Sequence, residues 1–157
     1  MGTSTLWPDF LPGNLLQGYL SLDPSINAFA GWTKFFLPYC DGSLHQGFAS
    51  DPIKYKDTNL YFRGGAITRG HLNWIDSKYN LKGADKIVLT GMSAGGIAVN
   101  IWNNYVKTFV GDQNKVYTIS DSGVFLNFPS MAGEKTVEKQ MQNIFKLANA
   151  DEITPLK

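Results

Sequence analysis

The sequence contains few of the residues that mark several large classes of protein. Cysteine occurs once, at Cys40, so the chain can form no internal disulfide and is not a small disulfide-stapled scaffold. Basic residues number 14 and acidic residues 13, and they lack the clustering typical of a nucleic-acid-binding protein. No apolar run is long enough to span a membrane, and residues 1–4 lack the features of a signal peptide. The composition predicts a globular protein with no nucleic-acid partner and leaves its compartment open.

The most informative pattern is an apolar strand that ends at a serine between glycines. Residues 87–89 are Ile-Val-Leu, a run typical of a parallel strand covered on both faces. Residues 91–95 are Gly-Met-Ser-Ala-Gly, which matches the G-x-S-x-G pattern of a nucleophile elbow. Apolar residues at helical spacing follow at Ile97, Ile101 and Tyr105. The sequence therefore predicts a strand, a tight turn and a helix in that order.

This pattern predicts that Ser93 is a nucleophile and that the amide of Ala94 is an oxyanion donor. A serine on a sharp strand-to-helix turn has a strained backbone that neighbouring side chains would obstruct, so Gly91 and Gly95 are expected to keep the turn open. The start of the following helix favours the negative charge that develops during acyl transfer. The alternative is a plain strand, turn and helix in which the serine only tolerates the turn.

The same residues offer no obvious catalytic base. A serine hydroxyl without a base is a poor nucleophile near neutral pH, and both histidines, His45 and His71, precede Ser93. In α/β-hydrolases the histidine comes last. We expect His45 to lie in a loop on the same rim as Ser93, where it either contacts a substrate or faces solvent. Asp121 begins an Asp-Ser-Gly segment at a strand end and suits a turn or a supporting role.

The rest of the chain alternates strands with helices after a loop-rich segment at 1–30. Further short strands are predicted at 33–39, 60–63 and 116–120, and further helices at 67–78 and 134–149. This alternation predicts an α/β fold, with a mostly parallel sheet flanked by helices and ligands at the carboxyl ends of the strands. Residues 1–157 are expected to form one domain. We expect no metal and no cofactor, and we interpret Cys40 as a structural thiol.

Four segments occur in a specific order. They are Tyr39-Cys40-Asp41-Gly42, Phe62-Arg63-Gly64, Gly-Met-Ser-Ala-Gly-Gly at 91–96 and Ser-Asp-Ser-Gly-Val-Phe at 120–125. Each segment alone is a weak signal, but the ordered set is specific. Together they resemble the pectin acetylesterase family, which includes the Notum carboxylesterases.

The resemblance implies a partial α/β-hydrolase fold that removes an acyl group, either acetyl from pectin or a fatty acyl group from a protein. It implies Ser93 as the nucleophile, Ala94 as an oxyanion amide, and a loop near the pocket from which we expect Tyr39, Asp41, Gly42 and His45 to bind substrate. The family's Gly-Gly-Trp-Cys oxyanion segment and its catalytic Asp and His are expected outside residues 1–157. Family members are usually secreted and rich in cysteine, whereas this chain has only Cys40.

Two functions of different classes are compatible with these residues. The first is a serine carboxylic ester hydrolase that acts on an acylated carbohydrate or an acylated protein. The second is a catalytically inactive module of a larger assembly, whose exposed apolar sheet edges are covered by a protein partner. The coding sequence on each side of the chain is expected to distinguish them.

Overall fold

A computed structural model describes residues 8, 12–13 and 16–153 of the chain. The predicted loop-rich segment 1–30 and the predicted single domain 1–157 therefore extend outside the described residues. In chain order the strands and helices are β1 (Ile53–Tyr55), β2 (Thr58–Leu60), α1 (Gly64–Tyr79), β3 (Ile87–Met92), α2 (Ala94–Val110), β4 (Val116–Asp121) and α3 (Thr136–Leu147). Short 3₁₀ helices lie at Gly18–Leu20, Leu81–Gly83, Gln113–Lys115 and Ala150–Ile153.

The centre of the fold is a β3–α2–β4 unit. The two strands are parallel neighbours, in register from Ile87 opposite Val116 to Met92 opposite Asp121. Parallel strands need a long crossover, which α2 supplies. The helix ends at Gly111, whose left-handed φ of +79° lets its N–H donate to the carbonyls near the helix end. Because the strands run in the same direction, their carboxyl ends meet at one edge.

One hydrophobic cluster holds this unit together. Its buried members come from α1, β3, α2, β4 and the last 3₁₀ helix: Leu72, Ile87, Ala98, Trp102, Val106, Val110, Val116 and Ile153. In β3, in β4 and in the segment that follows β4, other apolar side chains are exposed, namely Met92, Tyr117, Val124, Phe125, Leu126, Phe128 and Met131. The described residues thus cover only part of the apolar surface near these strands.

The mostly parallel sheet that the sequence predicts is not confirmed. The described residues form two separate two-stranded sheets, of which β3–β4 is parallel and β1–β2 is antiparallel. The hairpin is closed by a turn in which Lys56 has a φ of +51°. Its strands are largely exposed and lack the apolar run by which buried strands are recognised. The broader assignment to an α/β fold agrees with the helices and sheets observed.

Two predicted strands are wrong or displaced. Residues 33–39 form no strand; Phe35 packs edge-on against Tyr79, with ring centroids 5.0 Å apart. An apolar run identifies residues that pack together, but it does not supply the neighbouring strand that a ladder needs. The strand predicted at 60–63 lies earlier, because β2 ends at Leu60.

The predicted helices and the strand at 116–120 are confirmed with shifted ends. The helix predicted at 67–78 is α1, the helix at 134–149 is α3, and the strand is β4, one residue longer than expected. α1 begins three residues early because Gly64 and Gly65 are buried against other segments. None of the helices in the described part is long and apolar enough to cross a membrane.

Candidate active site

Ser93 occupies the tight turn between β3 and α2. Its φ of +55° and ψ of −113° form a combination that residues with a side chain rarely adopt. The side chain is exposed, and within the described residues its hydroxyl neither caps the helix nor hydrogen bonds to another group. The predicted strand, turn and helix are therefore present, with the hydroxyl accessible to an incoming group.

The glycines on either side of Ser93 differ in what they allow. A Cβ on Gly91 would lie 2.5 Å from the carbonyl carbon and the carbonyl oxygen of Gly95, so the backbone of the helix start leaves no room for a side chain there. A Cβ on Gly95 would meet no atom within 4 Å. The expectation that a side chain would obstruct the turn is thus correct at position 91. It is wrong at position 95, where a Cβ has open space.

The elbow is attached to the end of β4 through the backbone. The N–H of Ser93 donates to the carbonyl of Asp121 at 2.9 Å, and the carbonyl of Ser93 accepts the N–H of Ile97 at 3.1 Å, which begins α2. The amides of Ala94, Gly95 and Gly96 belong to the first turn of the helix, where N–H groups have no acceptor within the helix. Such amides, with the helix dipole, favour a negative charge. The arrangement can thus bring a hydroxyl and oxyanion donors together.

Asp121 acts through its backbone at this turn. Its side chain accepts a 2.9 Å hydrogen bond from the hydroxyl of Ser122, which has a φ of +50°. The supporting role predicted for Asp121 agrees with the contact between its carbonyl and the amide of Ser93.

Asp41, one of the predicted substrate-binding residues, is occupied by hydrogen bonds within the fold. Its carboxylate accepts the N–H of Ser43 at 3.0 Å and the hydroxyl of Ser43 at 2.6 Å. It also accepts the N–H of Gly64, the first residue of α1. Gly42 follows in a left-handed conformation with a φ of +71°. These contacts tie the loop to α1, and substrate binding by Asp41 and Gly42 stays a prediction.

Tyr39 and His45 form a stacked pair beside this loop. Their ring centroids are 5.1 Å apart, and the Tyr39 hydroxyl accepts the N–H of Leu44 at 3.0 Å. The carbonyl of His45 accepts a hydrogen bond from Trp102 Nε1 at 2.8 Å. Trp102 lies nine residues beyond Ser93 in α2, or about 13 Å along the axis at the usual helical rise. The described contacts therefore do not bring His45 to the elbow, and its contact with a substrate stays a prediction.

Burial governs the acid–base properties of this pair and of its neighbour Cys40. Burial lowers the pKa of His45, an effect that the nearby Asp41 carboxylate opposes and His71 reinforces. Burial raises the pKa of Tyr39 and also that of Cys40. A neutral imidazole and a protonated thiol are thus favoured here. Among the described residues no group of three or more His, Cys, Asp or Glu side chains is placed to hold a metal ion.

The sequence patterns include Ser120 in the segment 120–125 but predict no role for it at the elbow. Its hydroxyl donates to the carbonyl of Gly96 at 2.9 Å and accepts the side-chain amide of Asn100 at 3.2 Å. Two signals pointed to it: it begins the ordered segment 120–125, and it ends the strand predicted after the elbow helix, where parallel strands share a common edge.

Comparison with known proteins identifies relatives that extend over most of the chain. A profile of the pectinacetylesterase family matches residues 2–157. Pectin acetylesterase 5 of Arabidopsis thaliana is 34% identical over 136 residues, which cover 86% of this chain and 31% of that protein. Pectin acetylesterase 4 of the same plant is 31% identical over 152 residues, which cover 96% of this chain and 36% of that protein.

A more distant relative carries a different name. The palmitoleoyl-protein carboxylesterase NOTUM of Schmidtea mediterranea is 28% identical over 120 residues, which cover 73% of this chain and 22% of that protein. The chain spans about a third of the length of the curated pectin acetylesterases described above, from 31% to 36%.

Proposed function

The chain belongs to the pectinacetylesterase family, and from that premise we propose that it carries the nucleophile and an oxyanion donor of a carboxylic ester hydrolase. The observation that carries the proposal is the backbone of Ser93, which is strained and exposed between a parallel strand and a helix. A strained backbone needs a compensating reason, and presenting a hydroxyl at the start of a helix supplies one.

In the proposed reaction the oxygen of Ser93 attacks the carbonyl carbon of an ester while its proton passes to a general base. The carbonyl oxygen becomes an oxyanion, which the amide of Ala94 stabilises by a hydrogen bond. Collapse of this intermediate breaks the bond to the alcohol, which leaves with the proton from the base. Water then attacks the acyl-serine, releases the carboxylic acid and restores the hydroxyl.

The general base of this proposal lies outside the elbow described above. No side chain of the described residues hydrogen bonds to the Ser93 hydroxyl, and the backbone of His45 is held beside Trp102. The described contacts therefore identify no base. From the family resemblance we propose that the base, and the acid that orients it, lie in polypeptide other than residues 1–157. We propose that the further oxyanion donors also lie in that polypeptide.

The proposed substrate is an acetyl ester of a carbohydrate. Two relatives more than 30% identical to the chain are named pectin acetylesterases, whereas the relative named for a palmitoleoyl-protein substrate is 28% identical. An ester of a longer acyl chain on a protein is the competing substrate. A matched pair of p-nitrophenyl esters, acetate and octanoate, separates them by kcat/KM.

The test compares the purified protein, in a form that includes the polypeptide proposed to supply the base, with its Ser93→Ala variant on p-nitrophenyl acetate. Loss of a working nucleophile lowers kcat by several orders of magnitude in serine hydrolases, roughly a million-fold where measured. Ser77→Ala is the matched control, because Ser77 is an exposed serine on α1 whose hydroxyl bonds the carbonyl of Trp74. Equal turnover by wild type and Ser93→Ala would remove Ser93 from the mechanism.

A second candidate function is an inactive module that binds a protein partner. The observation in its favour is the exposed apolar segment after β4, in which Val124 is 74% exposed and Phe128 is 70% exposed. Exposed apolar surface of this kind usually contacts other polypeptide. In this case a fluorophosphonate probe, which reacts with activated serines, leaves Ser93 unlabelled while the protein associates with a partner. If the probe labels the wild-type protein but not the Ser93→Ala variant, the hydrolase function is supported.

A further inference from the structure

Ser120 makes a side-chain bridge between β4 and the first turn of α2. In the parallel register it lies opposite Gly91, the glycine that precedes the elbow. Its hydroxyl donates a 2.9 Å hydrogen bond to the carbonyl of Gly96. Gly96 lies in the first turn of the helix, three residues after Ser93. The bridge therefore joins the strand directly to the turn that carries the oxyanion amides.

A third residue orients the Ser120 hydroxyl. The side-chain amide of Asn100 donates to the Ser120 oxygen at 3.2 Å. A hydroxyl that accepts from one partner has its own proton free for another, here the carbonyl of Gly96. Asn100 is exposed, so its contact with Ser120 can be removed without opening the core.

The packing around this bridge leaves no room for a side chain on Gly96 or Gly123. A Cβ on Gly96 would lie 2.6 Å from the carbonyl oxygen of Asp121 and 2.8 Å from the Cα of Gly123. A Cβ on Gly123 would lie 2.4 Å from the Ser120 hydroxyl oxygen and 2.4 Å from the carbonyl carbon of Gly96. The helix start and the end of β4 thus touch backbone to backbone, and the Ser120 hydroxyl is a specific polar link across that contact.

We propose that Ser120 is a positioning residue of the elbow, which holds the first turn of α2 against β4 so that the Ser93 hydroxyl and the Ala94 amide keep their places. This inference rests on the proposed ester hydrolysis for its catalytic consequence. Ser120 itself exchanges no proton with the substrate; it acts through the backbone of Gly96. Small displacements of an oxyanion donor are costly, since loss of one donor lowers kcat by about 100- to 1,000-fold.

The experiment uses Ser120→Ala in the purified protein and reads out the first helical turn directly. Among residues 95–97, Ile97 donates its amide to a described acceptor, the carbonyl of Ser93. We expect hydrogen exchange of the Ile97 amide to rise about tenfold, which corresponds to a change near that of one hydrogen bond. In p-nitrophenyl acetate hydrolysis we expect kcat to fall about tenfold or more, short of the loss of a whole donor. KM stays within about twofold, because the residue does not contact the ester.

Matched variants distinguish positioning from general loosening of the helix. Thr108→Ala removes a hydroxyl that bonds a carbonyl of the same helix, that of Asn104 at 3.0 Å, far from the elbow. It is expected to change neither kcat nor the exchange of the Ile97 amide. Ser120→Thr keeps the hydroxyl and is expected to recover part of kcat. The proposal is overturned if Ser120→Ala leaves the exchange of the Ile97 amide unchanged, or if Thr108→Ala alters it equally.

Failure of the Ser120 proposal and failure of the proposed hydrolase function can be distinguished. If Ser120→Ala does not fold, Asn100→Ala takes its place. A smaller rise in exchange is then expected at the Ile97 amide, and no rise overturns the proposal. If wild type shows no turnover that depends on Ser93, the proposed hydrolase function fails. The exchange measurement then decides the positioning role of Ser120 alone.

Discussion

The indole Nε1 of Trp102 donates a 2.8 Å hydrogen bond to the backbone carbonyl of His45, a residue 57 positions earlier in the chain. Trp102 is 4% exposed and belongs to the main hydrophobic cluster. Its ring thus packs in the hydrophobic core, while its one polar atom holds the backbone of the loop that precedes β1 by a hydrogen bond. Through this contact the core of the β3–α2–β4 unit determines where His45 and its neighbours lie.

Replacing Trp102 with Phe tests this link. The variant leaves a partly buried carbonyl without its donor and a small cavity beside it, so we expect the free energy of unfolding to fall by about 2–3 kcal/mol. Trp74→Phe is the matched control because Trp74 is 49% exposed, and its effect is expected within about 0.5 kcal/mol. Urea denaturation measures both. Similar small losses in the two variants would show that the Trp102–His45 bond contributes little.

Asp41 is predicted to stabilise the fold. In Asp41→Ala the buried Ser43 hydroxyl and the first amide of α1 both lose their acceptor. Because hydrogen bonds to charged groups contribute about 1.5–3 kcal/mol each, we expect a loss of about 3 kcal/mol in the free energy of unfolding. The exposed Asp51 accepts one bond from the adjacent Ser50 hydroxyl, and Asp51→Ala is the control. If the two variants unfold at the same urea concentration, Asp41 has no special structural role.

The elbow was predictable from the sequence because its determinants are local. An apolar strand, a glycine-flanked serine and apolar residues at helical spacing all lie within residues 87–105. The same holds for α1, where Leu72 and Ile75 are buried as their spacing predicts. Local patterns of this kind specify an element without reference to the rest of the chain.

The roles of Asp41, Trp102 and Ser120 were not predictable, because each depends on a partner distant in sequence. Asp41 bonds Gly64, 23 residues away, and Ser120 bonds Gly96, 24 residues away. The failed strand at 33–39 has the same cause: its apolar residues identify a segment that packs on other parts of the chain, but whether it forms a strand depends on a neighbouring strand. Side chains that join distant segments leave no periodic signal.

Alanine substitutions at Gly91 and Gly95 test the close packing of the elbow, because only the first would create a steric clash. In Gly91→Ala the new methyl group would lie 2.5 Å from the backbone of Gly95, so we expect a loss of about 2 kcal/mol or more in the free energy of unfolding and a loss of any activity that depends on Ser93. In Gly95→Ala the methyl group meets open space, so stability is expected to stay the same or rise by up to about 1 kcal/mol. Thermal and urea unfolding check both, and equal destabilisation by the two variants would contradict the close contact.

His45 is predicted to make stability depend on pH. Its ring stacks on Tyr39, and burial, the largest cause, lowers the pKa of His45 below its ordinary value. The groups that act on it are the Asp41 carboxylate, which opposes the shift, and His71, which adds to it. Because the folded state disfavours the protonated imidazole, the unfolded chain binds that proton more readily. The contribution of His45 is therefore complete above the unfolded pKa, about 6.5, and is lost as the pH falls through that value towards the lower folded pKa.

Urea denaturation of wild type and His45→Gln at a series of pH values, from about 8 to about 5, checks this dependence across the range in which an ordinary imidazole titrates. Wild type is expected to lose stability progressively as the pH falls, and the glutamine variant to lose clearly less, because it has no imidazole to protonate. His71→Gln is the matched control: it removes only a secondary influence on the pKa of His45, so most of the wild-type slope should remain. Parallel curves for wild type and His45→Gln would mean that the partly buried ring of His45 is not the group whose protonation opposes folding.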